Sequence, residues 1–143
     1  MNEVMRYLEP LIMRFEGLRL KSYFCPAGVL TCGWGSTGPD IQPGTIWTKE
    51  YADERMRSDA KKFVRGVLKY SPSLVSNPSA LAAASDFAYN LGLGRYRVST
   101  LRKKLETGDW EAAQRELMKW TRGGGKVLPG LVARRKAECD LLK

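Results

Sequence analysis

Glycines are concentrated in one short stretch of this chain, and that concentration limits the folds open to it more than any other feature. Six of the 14 glycines lie between Glu16 and Gly44, interleaved with β-formers such as Tyr23 and Val29. Because glycine weakens helices and permits tight turns, the stretch predicts a small sheet with short connections. Helical patterning on both sides predicts an α+β chain with one helix, the sheet, and then five further helices.

The segments that flank the predicted sheet carry the apolar spacing of amphipathic helices. The first helix is predicted from Asn2 to about Arg14, with a kink or a late start at Pro10. Thr48 is the predicted N-cap of the second helix. The remaining helices are predicted over residues 79–91, from 99 or 100 to 108, from 109 to about 120 and from 129 to about 142. Glycines 92 and 94 are predicted to end the first of these helices. A flexible loop is predicted at 123–125.

Histidine is absent and cysteine occurs three times, which excludes several kinds of site. No His-based triad or proton shuttle is possible. Three cysteines are too few for a disulfide scaffold or a four-Cys zinc site, so no metal or cofactor is expected. No apolar run reaches the ~20 residues of a membrane span, and no signal-peptide core is present. The chain is therefore expected to fold in the cytoplasm without stable membrane insertion.

Positive charge dominates the chain, with 24 Lys and Arg against 15 Asp and Glu, and residues 95–143 contain 13 basic and 6 acidic residues. A basic surface fits a polyanion such as nucleic acid, anionic lipid or a wall polymer. The alternative is that these basic residues form helix faces that contact only solvent, which would explain the same excess of Lys and Arg. No recognised nucleic-acid motif is present, so nucleic acid is not the expected partner.

The segment from Glu16 to Gly38 carries the residues with the clearest chemical potential. Glu16 lies where the first helix should end, and its apolar neighbours favour the protonated carboxyl that a general acid uses. Inverting hydrolysis of a glycosidic bond also needs a group that handles water. The Cys25 thiolate could accept a proton from that water, and the Thr31 hydroxyl could orient it. Each residue taken alone also has a purely structural interpretation. Glu16 could be a surface residue, Cys25 a small buried apolar residue and Thr31 an ordinary strand residue.

The spacing of Glu16, Cys25 and Thr31 resembles the Glu–Asp/Cys–Thr triad of phage-type lysozymes, glycoside hydrolase family 24. Five segments resemble motifs of that family in the same order: E-G-L-R-L-K-S-Y (16–23), T-C-G-W-G-S-T (31–37), S-D-F-A-Y-N-L-G (85–92), S-T-L-R-K-K-L-E-T-G-D-W (99–110) and W-T-R-G-G-G-K-V-L-P-G-L-V-A-R-R-K-A-E (120–138). The resemblance therefore extends over almost the whole chain.

This resemblance implies a lysozyme-like α+β fold in a single domain, residues 1–143. A small β-lobe of about 16–47 and a larger helical lobe of 1–15 and 48–143 would enclose the active-site cleft. The implied function is that of an endolysin, a glycosidase that cuts the β-1,4 bond between N-acetylmuramic acid and N-acetylglucosamine in bacterial peptidoglycan. It would lyse the host at the end of bacteriophage infection, as a monomer held in the host cytoplasm until a holin releases it.

The resemblance also assigns roles to individual residues. Glu16 would be the proton donor, and Cys25 and Thr31 would position or activate the water. Cys25 stands where many relatives have Asp, and a base role would need a lowered thiol pKa, whereas an orienting role would not. Three further residues would line the cleft and bind substrate: Tyr89, Asn90 and Thr37.

Some choices stay open at the level of sequence. Arg134 and Arg135 match the paired arginines of the family. Either one of them braces Glu16, or they face the interior and pair with other groups there. A lytic transglycosylase, which uses one Glu and no added water, is an alternative chemistry. A nucleic-acid-binding module and a lysozyme-like protein that binds wall without cutting it are the alternatives of other classes.

Overall fold

A computed structural model describes all 143 residues of the chain and contains seven α-helices and two small antiparallel hairpins. The α+β class predicted from the sequence is confirmed. The elements are α1 (Asn2–Glu16), β1 (Arg19–Phe24), β2 (Leu30–Gly33), α2 (Lys49–Tyr70), a 3-10 turn (Pro72–Ser76), α3 (Pro78–Leu91), α4 (Leu93–Val98), α5 (Thr100–Glu106), α6 (Trp110–Leu117), β3 (Arg122–Gly123), β4 (Lys126–Val127) and α7 (Pro129–Cys139).

Local capping signals in the sequence locate most helix starts. The Thr48 hydroxyl accepts a hydrogen bond from the Tyr51 amide, as the N-cap prediction requires. Ser99 and Asp109 cap α5 and α6 in the same way. The first helix starts at Asn2 as predicted, so the alternative of a late start at Pro10 does not hold, and α1 runs on past Arg14 to Glu16.

Two predictions about the second half of the chain are wrong. Gly94 does not end a helix: α3 stops at Gly92, and α4 begins at the next residue, so six helices rather than five follow the first sheet. A buried Tyr96 anchors this short helix to the core. The predicted flexible loop at 123–125 is a hairpin turn instead, because Gly124 and Gly125 both adopt positive φ, which such turns favour.

The core is built around α3, whose alanine-rich sequence lets neighbouring helices approach closely. Nine of its 14 residues are buried, and α1, α2 and α7 all pack against it. This arrangement brings the C-terminal end of α1 next to α7, although more than 110 residues separate them along the chain. No helix in the structure is both long enough and apolar enough to cross a bilayer.

The first hairpin pairs β1 with β2 in an antiparallel register that places Tyr23 opposite Thr31 and Phe24 opposite Leu30. A bridge from Lys21 to Ile46 returns the following loop to the same sheet. The hairpin and this loop therefore form one wall, which stands across from α2 and α3.

Candidate active site

A cleft of about 1150 Å³ separates the first hairpin and its following loop from α2 and α3. Its lining comes from segments that are distant in sequence. The structure brings all six predicted site residues to this cleft: Glu16, Cys25, Thr31, Thr37, Tyr89 and Asn90.

Glu16 is the last residue of α1, and its side chain is 20% exposed, so its carboxylate is largely shielded yet open to the cleft. Arg134 on α7 donates a hydrogen bond from Nη1 to Oε2 of Glu16 at 2.7 Å. Of the two arginines left open by the sequence, Arg134 is therefore the one that braces Glu16. Since this bond occupies Oε2, a proton on Glu16 is expected on Oε1.

Gly35 lies directly against the carboxylate of Glu16. A Cβ at this position would overlap Oε1 of Glu16, and the φ of +83° is a conformation that other residues rarely adopt. Both the backbone and the close contact therefore require glycine, which allows the turn after β2 to cover one side of the acid.

Arg134 is itself held by Asp86, a fully buried residue of α3. Its Nε and Nη2 donate to the two oxygens of Asp86 at 2.9 and 2.8 Å, a bidentate geometry that fixes the guanidinium plane. Burial opposes ionisation of Asp86, but its neighbours Glu138 and Arg134 hold the pKa of this carboxyl below its ordinary value. The charged Asp86 thus orients the arginine that orients Glu16.

Glu138 lies fully buried behind this pair. Burial, together with the adjacent Asp86, raises the pKa of Glu138 well above its ordinary value, which favours the protonated form of this carboxyl. Arg135 Nε lies 3.0 Å from Oε1 of Glu138, but without hydrogen-bond geometry. Both carboxyl oxygens of Glu138 are thus buried without a hydrogen-bond partner, and burial is the main cause of the raised pKa.

Cys25 follows β1 directly, and its thiol is partly exposed in the cleft. The backbone of Val29 lowers the pKa of Cys25, burial opposes this with a smaller effect, and the backbone of Ala27 lowers the pKa further. A lowered thiol pKa increases the thiolate fraction at neutral pH, and the thiolate is the form that accepts protons.

Thr31 is buried on β2 beside Cys25, with only 4% of its surface exposed. Its Oγ1 donates to the Val29 carbonyl at 2.9 Å, which fixes the rotamer and leaves lone pairs free to accept from a water. The tight turn that closes the hairpin therefore holds both water-handling candidates in one place.

Thr37 is an exposed residue of the loop that follows β2, and Arg55 on α2 holds that loop in position. Arg55 donates to the Thr37 carbonyl at 2.7 Å and forms ion pairs with Asp40 and Asp59. This anchoring leaves the Thr37 side chain free at the cleft.

Tyr89 and Asn90 are the contributions of α3 to the cleft. The Tyr89 hydroxyl donates to the Trp34 carbonyl at 2.6 Å, so Tyr89 ties the helices to the hairpin wall and presents its ring rather than its hydroxyl. Asn90 Oδ1 accepts from Nη2 of Arg135, which leaves the amide NH2 for a ligand. Arg135 is therefore engaged by Asn90 and Glu138, not by Glu16.

Sequence reasoning missed several residues of this site. Tyr23 lines the cleft, and burial together with the nearby Glu16 raises its pKa, so its hydroxyl stays a donor. Successive side chains of a strand point to opposite faces, so the position of Tyr23 between Ser22 and Phe24 on β1 was the sequence signal that could have identified it. Arg55, Asp86 and Glu138 carried no local signal, because charged side chains in helices are usually exposed.

Comparison with known proteins identifies the family. The phage lysozyme family model matches residues 13–138. The chain belongs to the phage lysozyme family. The resemblance read from the sequence motifs and the lysozyme-like fold are thereby confirmed.

Individual relatives agree with this assignment. The chain is 41% identical over 133 residues to an endolysin of Bacillus phage B103, covering 92% of this chain and 50% of the relative, so it spans half the length of that protein. It is 38% identical over 137 residues to an endolysin of Acyrthosiphon pisum secondary endosymbiont phage 1, covering 93% and 92%. The muramidase domain of SpmX from Asticaccaulis excentricus superposes with a TM-score of 0.80 at 28% identity, covering 96% and 94%.

Proposed function

We propose that this phage lysozyme family member is an endolysin, a muramidase that hydrolyses the β-1,4 bond between N-acetylmuramic acid and N-acetylglucosamine in peptidoglycan. The observation that carries the proposal is the single cleft that holds Glu16 together with Cys25 and Thr31. The relatives named endolysins and the muramidase domain of similar fold support it.

In this proposal Glu16 is the general acid. Arg134 holds Oε2, so the proton on Oε1 is directed to the oxygen of the leaving sugar. Gly35 and the hairpin turn restrict the other positions the carboxyl could take. The bond between the anomeric carbon of N-acetylmuramic acid and that oxygen breaks as the oxygen takes the proton. The N-acetylglucosamine residue therefore leaves with a free hydroxyl group.

A water on the opposite face of the sugar attacks the anomeric carbon in the same step. Its oxygen forms the new bond, and its proton passes to the Cys25 thiolate, with the Thr31 hydroxyl setting its orientation. The lowered pKa of Cys25 supports a base role over a purely orienting one. Attack from the opposite face inverts the anomeric configuration, so a β-linked substrate gives an α product.

Thr37, Tyr89 and Asn90 bind the glycan strand along the cleft in this proposal. The free amide of Asn90 and the hydroxyl of Thr37 suit the polar groups of an N-acetylated sugar, and the Tyr89 ring offers an apolar surface to a sugar face. No nucleic acid partner is proposed. We further propose that the protein acts as a monomer and reaches the wall through holin-mediated release.

Product analysis tests the proposed reaction. Purified peptidoglycan digested with the wild-type protein should release muropeptides with reducing N-acetylmuramic acid ends, and the first product observed by NMR should be the α anomer. Anhydro-muramic acid ends would instead indicate a transglycosylase, a first-formed β anomer would exclude inversion, and absence of new ends would exclude cleavage.

A further inference from the structure

The positive charge of this protein is concentrated on a part of its surface that the cleft does not explain. Between residues 60 and 105 the chain has nine Lys and Arg residues and one acid, Asp86, which is fully buried against Arg134. None of the nine takes part in an ion pair. The stretch is therefore an uncompensated cationic surface.

The later part of the chain does not share this property, although its sequence predicts it. Arg134 and Arg135 are buried there, and five solvent-accessible acids stand against six accessible basic residues between 106 and 143. The accessible charge excess of residues 95–143 thus lies mainly in α4 and α5, and the second half of α2 adds further positive charge beside them.

Six of the basic side chains form a surface that we name the cationic face. Leu93 at the start of α4 packs against Gly66 of α2, where a Cβ would overlap it. Arg102 donates from Nε to the Arg97 carbonyl at 2.8 Å and from Nη1 to the Tyr70 carbonyl at 3.4 Å. These contacts join three helices into one surface. Its members are Lys62, Arg65, Lys69, Arg95, Arg97 and Arg102.

The cationic face begins at the rim of the cleft. Lys62 lines the cleft itself, as do Leu91 and Gly92, which immediately precede α4. A polymer that leaves the cleft at this end therefore passes directly onto the cationic face.

The arrangement of the charges indicates which kind of anion fits. Arg65 and Lys69 lie four residues apart on α2, which separates them by about 6 Å along the helix axis, and both are exposed at the surface. Such a row suits separate anions spaced along a polymer. The face has no exposed aromatic ring on which nucleic-acid bases could stack. A peptidoglycan strand carries peptides with free carboxylates at regular intervals.

We propose that the cationic face binds the peptide carboxylates of the same peptidoglycan strand whose glycan occupies the cleft. This inference rests on the proposed function. Binding outside the cleft holds the enzyme on its polymer between cleavage events, and it adds electrostatic attraction without altering the reacting groups.

The test is sedimentation binding to insoluble peptidoglycan sacculi, with all proteins carrying Glu16→Gln so that the sacculi stay intact. One variant reverses four exposed charges of the face: Arg65→Glu, Lys69→Glu, Arg95→Glu and Arg97→Glu. A matched control reverses four exposed, unpaired charges elsewhere: Arg6→Glu, Arg115→Glu, Lys126→Glu and Lys143→Glu. Circular dichroism melting establishes that each variant is folded.

The sacculi are used in three forms: untreated, treated with hydrofluoric acid to remove phosphodiester polymers, and with carboxylates capped by carbodiimide and methylamine. We expect the face variant to bind acid-treated sacculi at least tenfold more weakly than the parent, and the control less than threefold. Capping should abolish the difference between the two variants.

Equal binding by the face variant and the control would overturn the inference, as would a difference that survives capping. A difference that disappears with hydrofluoric acid would assign the face to phosphodiester polymers instead. Tighter binding of the parent to duplex DNA than to sacculi would assign it to nucleic acid. Sugar release by the wild type is measured separately, so a failure of the proposed hydrolysis is distinguishable from a failure of this inference.

Discussion

Replacing Arg134 by methionine should destabilise the fold and release the carboxylate of Glu16. Arg134 is 3% exposed and makes three hydrogen bonds, two to Asp86 and one to Glu16. Methionine keeps much of the aliphatic chain but none of the donors. The variant therefore leaves Asp86 as an uncompensated charge in a fully buried position.

The expected loss follows from that unpaired charge. Removing one partner of a buried ion pair costs about 3–5 kcal/mol, compared with about 0–1 kcal/mol for an exposed pair. At about 3 °C per kcal/mol for a chain of this size, the Tm should fall by about 9–15 °C. Melting followed by circular dichroism measures this directly.

A second substitution separates the charge effect from lost packing. Asp86→Asn removes the uncompensated charge, so the double variant Arg134→Met with Asp86→Asn should recover more than half of the lost Tm. Activity should stay low in this double variant, because Glu16 then lacks the hydrogen-bond donor that orients its carboxyl group. A Tm loss under about 3 °C for Arg134→Met, or no recovery in the double variant, would refute this account of the buried network.

Three further predictions concern single side chains around the site. Glu138→Gln should raise Tm at pH 7 and change it less at pH 4. Because the fold raises the pKa of the Glu138 carboxyl, the unfolded chain loses this proton more readily, and the wild-type protein loses stability as pH rises above the ordinary pKa of glutamate. A larger loss of Tm at pH 7 than at pH 4 would contradict this. Cys25→Asp should retain substantial wall-clearing activity and Cys25→Ala should lose most of it; the reverse order would remove Cys25 from the catalytic residues. Gly35→Ala should lose at least tenfold in clearing rate because its methyl group displaces Glu16, and an unchanged rate would show that the contact is unimportant.

Local signals in the sequence were sufficient for the fold class and for most helix starts. Thr48, Ser99 and Asp109 cap their helices through their own side chains, a property of a few neighbouring residues. The glycine-rich stretch gave the first hairpin for the same reason. The prediction that Gly94 ends a helix failed because Gly94 lies inside α4, and α4 packs on α2 through a contact between Leu93 and Gly66 that is distant in sequence.

The candidate site was predictable where a motif carried it and not where packing decided it. Glu16, Cys25 and Thr31 stand in one short segment with a family-like spacing. Arg134 and Arg135 are adjacent in sequence but about 100° apart around α7, so the packing of α7 on α3 determines which of them reaches Glu16. Only the three-dimensional structure supplies that information.

The buried carboxyls could not be inferred from sequence at all. Asp86 and Glu138 lie in helical segments where acidic residues are ordinarily solvent-exposed, and their roles exist only because α3 and α7 pack against each other. A charge count treats both as surface acids. The same count treats the buried Arg134 and Arg135 as surface residues, and for that reason the sequence placed the positive surface too near the C-terminus.

The central claim is that Glu16 delivers the proton that breaks the glycosidic bond. Its most direct test is the rate at which Glu16→Gln clears a peptidoglycan suspension, with Glu3→Gln on the same helix as the matched control. Glutamine keeps the shape and the acceptor for Arg134 but has no carboxylic proton. We expect at least a ~10²–10⁴-fold lower rate at an unchanged Tm, and a wild-type rate for Glu3→Gln. A folded Glu16→Gln protein that clears the suspension at the wild-type rate would contradict the claim.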